Sequence, residues 1–372
     1  MTRRVVVTGI GGVSGYGIGV ESLWRGLVGG KTAVRPVDWR GWESAPIQVA
    51  AQVPEPVSGK GWRSLQMARL ALQEALGGNR PAGAGGLAAA IGWPGPGEQK
   101  GGDPVEILAE EFSLSGPREE SLAACAASTQ AIGEAFRWVR DGEADWMVAG
   151  GADGRVHPGG LLGYERLGAL ARGYRDQPAA ACRPFGEGRT GFVVGEGAAF
   201  LVVEEREAAV RRGARILAEI CVASEGCDAY RITDPGEDGA EAAACMQACL
   251  QDAGIPEKEV DGVVCHGTGT PANDRAEAKA LRLVFGGRQP WANAPKSRLG
   301  HLSMACGAVE SAIAVLSLAK DLFPATASGD WRGDPECPVR MAPSPGRSGL
   351  RTVLKPSFGF GGQNACLLFR RG

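Results

Sequence analysis

The sequence predicts an α/β layered fold, and two observations support this prediction. Short apolar runs rich in β-branched residues alternate along the chain with longer segments whose apolar residues recur at helical spacing. In addition, an apolar strand followed by a short motif of glycine and threonine occurs near Thr8 and again near His266. This recurrence indicates an internal duplication, so we expect two similar halves, residues 1–210 and 211–372.

The elements of the first half follow from hydrophobic periodicity. Residues 4–8 are predicted as a strand, and the glycines of residues 8–14 are predicted to form a tight strand-to-loop turn. A dinucleotide-binding loop is disfavoured there, because Ser14 occupies the position of the third glycine. The remaining predicted elements are helix 20–27, helix 66–76, strand 88–91, helix 129–139, strand 146–149 and strand 193–203.

The second half repeats the alternation. Cys245 and Cys249 lie one helical turn apart, but no Cys/His pair follows them at zinc-site spacing, so they are interpreted as a helix face and no metal site is predicted. The predicted elements are strand 216–222, helix 240–253, strand 260–265, helix 274–284, helix 305–318 and strands 352–355 and 365–369.

Composition excludes several classes of partner. The 372 residues include 40 Lys+Arg and 42 Asp+Glu without a long basic block, which argues against nucleic acid or an anionic membrane as the main partner. A modest basic patch for an acidic carrier protein is compatible with this balance. The ten cysteines are dispersed, which favours intracellular free thiols, and no apolar run approaches the length of a membrane span. We therefore expect a soluble, cytoplasmic protein.

Three glycine-marked motifs hold the side chains best suited to chemistry. Cys125 lies in Leu122-Ala-Ala-Cys-Ala-Ala-Ser128, His266 opens His-Gly-Thr-Gly-Thr, and His301 ends Lys-Ser-Arg-Leu-Gly-His. Cys125 immediately precedes a predicted helix, whose dipole favours a thiolate, and a thiolate that attacks a thioester forms an acyl-enzyme. Considered alone, Cys125 fits an inert buried cysteine better than a nucleophile, and His266 is compatible with a hydrogen-bonded turn histidine.

In this order, the three motifs resemble those of the β-ketoacyl synthase family of the thiolase superfamily. The resemblance extends over nearly the whole chain and includes residues 146–153, 183–197 and 228–233. It implies a thiolase-like fold, in which two duplicated α/β halves stack in five layers with the site between them. It also implies a β-ketoacyl-[acyl-carrier-protein] synthase, an acyltransferase of fatty acid or polyketide biosynthesis.

The resemblance assigns roles to individual residues. Cys125 takes the acyl group, and His266 and His301 promote decarboxylation of a malonyl thioester and stabilise the enolate. The backbone N–H groups of Cys125 and Phe360 form the oxyanion hole, and Phe360 gates the acyl pocket. Supporting roles fall to a buried pair, Lys296 and Glu310, expected to orient His301, to the network acids Asp274 and Glu277, and to Thr268 and Thr270, expected to contact the pantetheine arm.

Partners and assembly also follow from the resemblance. The expected partners are an acyl carrier protein and acyl and malonyl thioesters; no metal or redox cofactor is required, and phosphopantetheine arrives on the carrier. A homodimer, or a heterodimer with a synthase-like chain, is expected. The segment over residues 92–120 is shorter than the family norm, and residues 92–102 are too rich in glycine and proline to form a helix.

Three alternatives stay open from the sequence. They are a related acyltransferase that uses the same cysteine without decarboxylation, a thiolase or ketoacyl-CoA synthase that uses free CoA, and a non-catalytic partner subunit of a heterodimer. The sequence leaves the acyl chain length, the pathway and the effect of the shortened segment on the pocket undetermined.

Overall fold

The computed structural model describes residues 2–42, 44–54, 57–78, 80–99, 101–326, 330–344 and 346–372. The strands within these residues range from two to ten residues in length. They are β1 (Val5–Ser14), β2 (Gly17–Ile18), β3 (Arg35–Pro36), β4 (Val49–Ala50), β5 (Gly85–Ile91), β6 (Arg118–Glu120), β7 (Trp146–Asp153), β8 (Gly197–Glu205), β9 (Ala218–Cys227), β10 (Gly262–Val264), β11 (Trp291–Asn293), β12 (Phe323–Pro324), β13 (Gly346–Arg347), β14 (Thr352–Gly359) and β15 (Gln363–Arg370).

The helices alternate with these strands, as the periodicity predicts. They are α1 (Val20–Val28), α2 (Arg63–Leu76), α3 (Pro104–Glu111), α4 (Ala127–Asp141), α5 (Pro158–Glu165), α6 (Arg206–Arg211), α7 (Ala240–Ala253), α8 (Pro271–Phe285), α9 (Lys296–Leu299) and α10 (Cys306–Ala319). Within the described ranges, none of these helices is both long and apolar enough to cross a membrane.

One large sheet contains a repeated strand pattern. Its strand order is β11-β10-β14-β15-β9-β1-β8-β7-β5-β6, with β2 attached to β1. On one side of β1, β8 pairs antiparallel with β1 and β7 pairs antiparallel with β8. Farther out, β5 pairs parallel with β7 and β6 pairs parallel with β5. On the other side, β15 pairs antiparallel with β9 and β14 pairs antiparallel with β15, and then β10 pairs parallel with β14 and β11 pairs parallel with β10. The two half-sheets therefore share one topology, as a duplicated thiolase-like fold requires.

The hydrophobic clusters divide the molecule into five layers. Successive residues of a strand point to opposite faces of its sheet. Leu201 of β8 and Leu367 of β15 accordingly pack on the central helices α4 and α10. Phe200 packs on α2 and α3, and Leu368 packs on α7 and α8. The order is thus outer helices, half-sheet, central helix pair, half-sheet and outer helices.

The change from one half to the other lies between β8 and β9. The expected boundary at residue 210 falls inside the short helix α6 that connects these strands. As a domain boundary it stays a prediction.

The predicted turn at residues 8–14 is wrong, because β1 continues through these glycines to Ser14. A Cβ on Gly9 would lie 2.4 Å from the carbonyl oxygen of Ala75, and one on Gly11 would lie 1.9 Å from that of Ala71. The glycines therefore serve the close packing of α2 on β1. The strand expected over residues 193–203 likewise begins only at Gly197.

The described part of residues 92–102 contains no helix, as predicted; Lys100 lies outside the described residues. Helix α3, which the sequence analysis missed, begins directly after this segment. Asp103 caps it, because its Oδ1 accepts hydrogen bonds from the backbone N–H groups of Val105 (2.8 Å) and Glu106 (3.1 Å), and Pro104 occupies the first turn. The Asp-Pro pair is a helix-start signal that could have revealed α3.

Candidate active site

Cys125 lies in a single 3₁₀ turn, Ala124–Ala126, that leads into the central helix α4. Ala124 has a φ of 48°, a left-handed conformation that is unusual for alanine. Ser303 has the same φ in the equivalent turn before α10, the helix that follows His301. Strained non-glycine residues of this kind cluster at functional sites. The two central helices therefore begin in the same way, one beside Cys125 and the other beside His301.

The Cys125 side chain is a thiol at neutral pH. Burial raises its pKa to about 11, which outweighs the opposing effects of the Lys296 charge and the hydrogen bond from the Phe360 backbone N–H. The thiolate expected from the helix N-terminus is therefore not the resting form. The cause is desolvation, which penalises the charged form of a group enclosed by protein.

The loop between β14 and β15 brings Phe360 to the cysteine. Its backbone N–H lies near the Cys125 thiol and acts to lower the pKa of that group, so this donor is close to the place where the oxyanion hole was predicted. The approach requires Gly359: a Cβ there would lie 2.7 Å from the Ala123 carbonyl oxygen and 3.2 Å from the Cys125 nitrogen. The glycine of the Phe-Gly-Phe motif thus allows two backbone segments to touch at the nucleophile.

His266 follows β10, and Glu277 of α8 holds its backbone. Oε1 of Glu277 accepts a hydrogen bond from the N–H of His266 (2.8 Å), and Oε2 accepts one from the N–H of Gly267 (2.7 Å). Burial raises the pKa of Glu277 to about 7. Asp274 similarly accepts from the N–H of Gly269 at 3.1 Å. Both acids act as network residues, as the sequence analysis expected.

The buried pair of Lys296 and Glu310 exists, but it positions His266 and not His301. Nζ of Lys296 lies 2.5 Å from Oε1 of Glu310, 2.5 Å from the carbonyl oxygen of His266 and 3.3 Å from Nδ1 of the same histidine. The expected contact with His301 is therefore wrong. The short helix α9 begins at Lys296 and ends at Leu299. The Lys296 side chain extends from its first residue toward His266, which follows β10.

A second buried lysine completes this network. Nζ of Lys355 lies 3.0 Å from Oε2 of Glu310 and donates to Oγ of Ser357 at 2.8 Å. Ser357 in turn lies 2.7 Å from Oγ1 of Thr129 in α4. Sequence reasoning missed Lys355, although a lysine inside an apolar predicted strand is itself a signal, because buried lysines are paired. The network connects the helix that follows Cys125 with the loop that holds His266.

His301 is oriented by its own turn. Nδ1 accepts a hydrogen bond from the backbone N–H of Ser303 (3.0 Å) and lies 3.4 Å from the sulfur of Cys306. The rings of His301 and His266 meet edge to face with centroids 5.7 Å apart. Burial, followed by the Lys296 charge, holds the pKa of each histidine well below its usual value.

These contacts determine the tautomer of both histidines. Lys296 is a donor and faces Nδ1 of His266, while the Ser303 N–H faces Nδ1 of His301. A neutral imidazole that accepts at Nδ1 carries its proton on Nε2. Both histidines are therefore neutral rings with an Nε2–H donor, and both line the same cavity as Cys125.

This histidine cavity has a volume of about 290 Å³ and also contains both threonines of the His-Gly-Thr-Gly-Thr motif. Oγ1 of Thr268 lies 2.9 Å from Oγ1 of Thr270, and Thr270 caps α8 by accepting from the N–H of Asn273. The position of the threonines beside the histidines is compatible with a bound pantetheine arm. That role stays a prediction.

A second opening adjoins Cys125 on its other side. This arginine groove, of about 570 Å³, is mainly apolar and contains Arg155. Cys125, Tyr164, Leu167 and Phe360 line both the groove and the histidine cavity. The predicted gate residue Phe360 therefore lies at the junction of the two openings, whereas Arg155 and Tyr164 were not singled out from the sequence.

Comparison with family profiles covers most of the chain. The profile "Beta-ketoacyl synthase, N-terminal domain" matches residues 2–70 and 106–209. The profile "Beta-ketoacyl synthase, C-terminal domain" matches residues 217–330. The stretch left out between the first two matches contains residues 92–102, where the sequence departs from the family pattern.

Individual relatives align over full length. The chain is 33% identical to the "3-oxoacyl-[acyl-carrier-protein] synthase 2" of Coxiella burnetii (strain RSA 493 / Nine Mile phase I), with 99% of each chain covered. It is 29% identical, with a TM-score of 0.91 and full coverage of both, to a chain of AntDE:AntF, a type II PKS acyl-carrier protein in complex with its ketosynthase bound to the hexaketide. It is 30% identical, with a TM-score of 0.87 and full coverage of both, to a chain of the ishigamide ketosynthase/chain length factor. Since the profiles match both halves and a relative aligns from end to end, this chain belongs to the β-ketoacyl synthase family of the thiolase superfamily, and it is an acyltransferase of the 3-oxoacyl-[acyl-carrier-protein] synthase type.

Proposed function

We propose that this chain performs a decarboxylative Claisen condensation in which Cys125 is the nucleophile and His266 and His301 are the enolate-stabilising donors. The product is a 3-oxoacyl thioester for fatty acid or polyketide biosynthesis. The observation that carries the proposal is the shared tautomer: two neutral histidines, each with a proton on Nε2, line one cavity with the cysteine. Paired donors of this kind suit a developing oxyanion.

In the first half-reaction, the Cys125 sulfur attacks the acyl thioester. The thiol proton passes to the departing pantetheine sulfur, and the acyl group remains on the enzyme. The backbone N–H of Phe360 is available to the carbonyl oxygen as it becomes negative. The raised pKa of Cys125 favours loss of the thiol proton in concert with the attack on the thioester.

In the second half-reaction, a malonyl thioester enters the histidine cavity. Its carboxylate leaves as CO2, and the electron pair of the broken C–C bond forms an enolate whose oxygen accepts from the two Nε2–H groups. The enolate carbon then attacks the acyl carbonyl and expels the Cys125 sulfur as a thiolate, which takes a proton from water and becomes a thiol again. The two neutral histidines can serve this step, because each ring donates from Nε2 while its lowered pKa keeps it uncharged.

We propose an acyl carrier protein as the source of both thioesters and the cytoplasm as the compartment. The carrier supplies phosphopantetheine, and the groups of the site perform the reaction without a metal or redox cofactor. The chain acts as a dimer, either with itself or with a synthase-like chain. In support of these partners, one structural relative is described in complex with an acyl-carrier protein and another is a ketosynthase/chain length factor.

The test separates the two half-reactions. Intact-mass analysis after incubation with acyl carriers should show one acyl adduct, absent in Cys125→Ala and retained in Cys227→Ser, which removes an exposed cysteine. Addition of malonyl carrier labelled in the free carboxyl should then release labelled CO2 and form a 3-oxoacyl product. Acylation without CO2 release would instead favour the non-elongating acyltransferase. Absence of acylation in a folded protein would favour the non-catalytic partner subunit.

A further inference from the structure

Among the described residues that line the arginine groove, Arg155 is the one charged side chain and most of its neighbours are apolar. Trp93, Leu122 and Met304 form part of its wall, and Cys125 lies at its junction with the histidine cavity. Arg155 lines the same wall, and its side chain is about one third exposed. A wall built only to hold a saturated chain gains nothing from a cation, because burying hydrogen-bond donors against hydrocarbon costs free energy.

Arg155 is held in position from two sides. Its Nε lies 3.1 Å from Oδ2 of the fully buried Asp153, and its guanidinium carbon lies 6.0 Å from the ring centre of Tyr164. The hydroxyl of Tyr164 is itself fixed, 2.8 Å from Oγ of Ser303. Asp153 is the one polar partner of the guanidinium among the residues that the structure describes. The Nη donors therefore remain available on a positioned side chain.

The groove also has room beside this arginine. Gly159, Gly160 and Gly163 of α5 line it without side chains, and no atom lies within 4 Å of where a Cβ of Gly163 would be. An acyl chain attached to Cys125 can therefore extend past Phe360 along α5 and pass Arg155. Oxygen atoms on such a chain would meet the free Nη donors.

We propose that the arginine groove selects acyl chains that carry a hydrogen-bond-accepting oxygen, and that Arg155 is the residue that recognises it. The inference rests on the proposed function, since the groove holds an acyl chain only if Cys125 is acylated. Keto and carboxylate oxygens share the required chemistry. A guanidinium serves both, as a donor to a neutral carbonyl and as a cation to a carboxylate.

The experiment compares three pantetheine thioesters of equal chain length: a saturated chain, a chain with a keto oxygen, and a chain that ends in a carboxylate. The rate of acylation of Cys125 is followed by intact mass. The wild-type protein should react with an oxygenated chain about tenfold to a hundredfold faster than with the saturated chain, the range of one hydrogen bond to a charged donor. A preference for the keto chain or for the carboxylate chain identifies which oxygen is recognised.

Three variants test the residue. Arg155→Met replaces the arginine with an apolar side chain of similar length and should abolish the preference for oxygenated chains. The double variant Asp153→Asn/Arg155→Met repeats the test without leaving the buried Asp153 carboxylate unpaired. Arg155→Lys keeps the positive charge but loses the planar set of guanidinium donors. It should therefore retain selectivity for the carboxylate chain better than for the keto chain. Arg211→Met, at an exposed arginine elsewhere, is the matched control and should leave every rate unchanged.

The outcomes separate the two proposals. Equal rates for the three chains in the wild-type protein, or a preference that survives in the folded double variant, overturns the role of Arg155 and leaves Cys125 as the nucleophile. Failure of all three thioesters, and of acyl carriers, to acylate a folded protein contradicts the proposed function, and the inference about the groove fails with it.

Discussion

Lys296 donates to Nδ1 of His266 at 3.3 Å, although its own sequence motif ends in His301. The contact keeps the His266 proton on Nε2, and the Lys296 charge helps to hold the pKa of this histidine well below its usual value. Lys296 is thus a positioning residue for a histidine 30 positions away in the chain.

The two histidines should be separable from the nucleophile. His266→Ala and His301→Ala should still form an acyl adduct on Cys125, because the sulfur and the Phe360 N–H are unchanged. Each variant should lose about 10²–10⁴-fold in condensation rate, the usual effect of one positioned acid–base group. His157→Ala is the matched control, since that histidine caps α5 through its Nδ1 and lies outside the histidine cavity. Full condensation in either of the first two variants would refute the role of that histidine.

Lys296→Met should impair condensation in a pH-dependent way. Without its donor, the neutral His266 ring can place its proton on Nδ1, which leaves Nε2 as an acceptor facing the enolate oxygen. We expect a loss of about 10–100-fold at neutral pH, the size found for partners that orient a functional histidine. Loss of the Lys296 charge also raises the pKa of His266, so on acidification the ring gains a proton and regains its Nε2–H donor. The deficit relative to wild type should therefore shrink as the pH falls.

The measurement is the condensation rate of pre-acylated enzyme across the pH range. Glu310 keeps its contact with Lys355 at 3.0 Å, which should preserve the fold, and thermal melting checks this. Lys320→Met removes a surface lysine that pairs with Glu21 and should change neither rate nor pH profile. A deficit that is the same at every pH would show that Lys296 has a purely structural role.

Gly359→Ala should slow acylation of Cys125. The new Cβ would clash with the backbone around the cysteine, so the loop must retreat and withdraw the Phe360 N–H. Removing one oxyanion donor costs about 3–4 kcal/mol, or on the order of 10²–10³ in rate. Gly361→Ala is the control in the same loop, because nothing lies within 4 Å of its Cβ position; its φ of 82° predicts only a modest loss of stability. Equal acylation rates in wild type and Gly359→Ala would exclude this donor from the reaction.

The chain should form a dimer in solution. Among the described residues, β6 is the last strand on its side of the sheet, and it lies just before the exposed Leu122 and the nucleophile turn. A terminal strand of a sheet readily pairs with another chain. Light scattering of the purified chain at assay concentration should give twice the monomer mass if the chain forms a homodimer. If it forms a heterodimer, a mass of this size should appear only after a synthase-like partner chain is added. A fully active monomer would contradict this prediction.

Patterns that span only a few neighbouring residues predict the helices and strands and identify the reactive side chains. The helix over residues 240–253 has the predicted bounds, because its apolar residues and its Gly254 end signal are local. Cys125, His266 and His301 were identified by motifs of a few residues, and the structure brings all three into one cavity. Such motifs can be recognised in a sequence because each reactive side chain lies in a turn, and the turn requires glycines or other small residues next to it in the chain.

Which groups act on one another depends on how distant parts of the chain pack together. Lys296 contacts His266 instead of His301 because the chain path, and not sequence distance, sets where a long side chain ends. Lys355 enters the same network from a strand that gave no motif signal. The pKa of Cys125 rises because the assembled halves exclude water around it, an effect that the helix start alone does not reveal. Burial and contacts between distant segments are properties of the packed molecule. Short motifs therefore identify the reactive groups, whereas packing sets their protonation, their hydrogen-bond partners and the groove beside them.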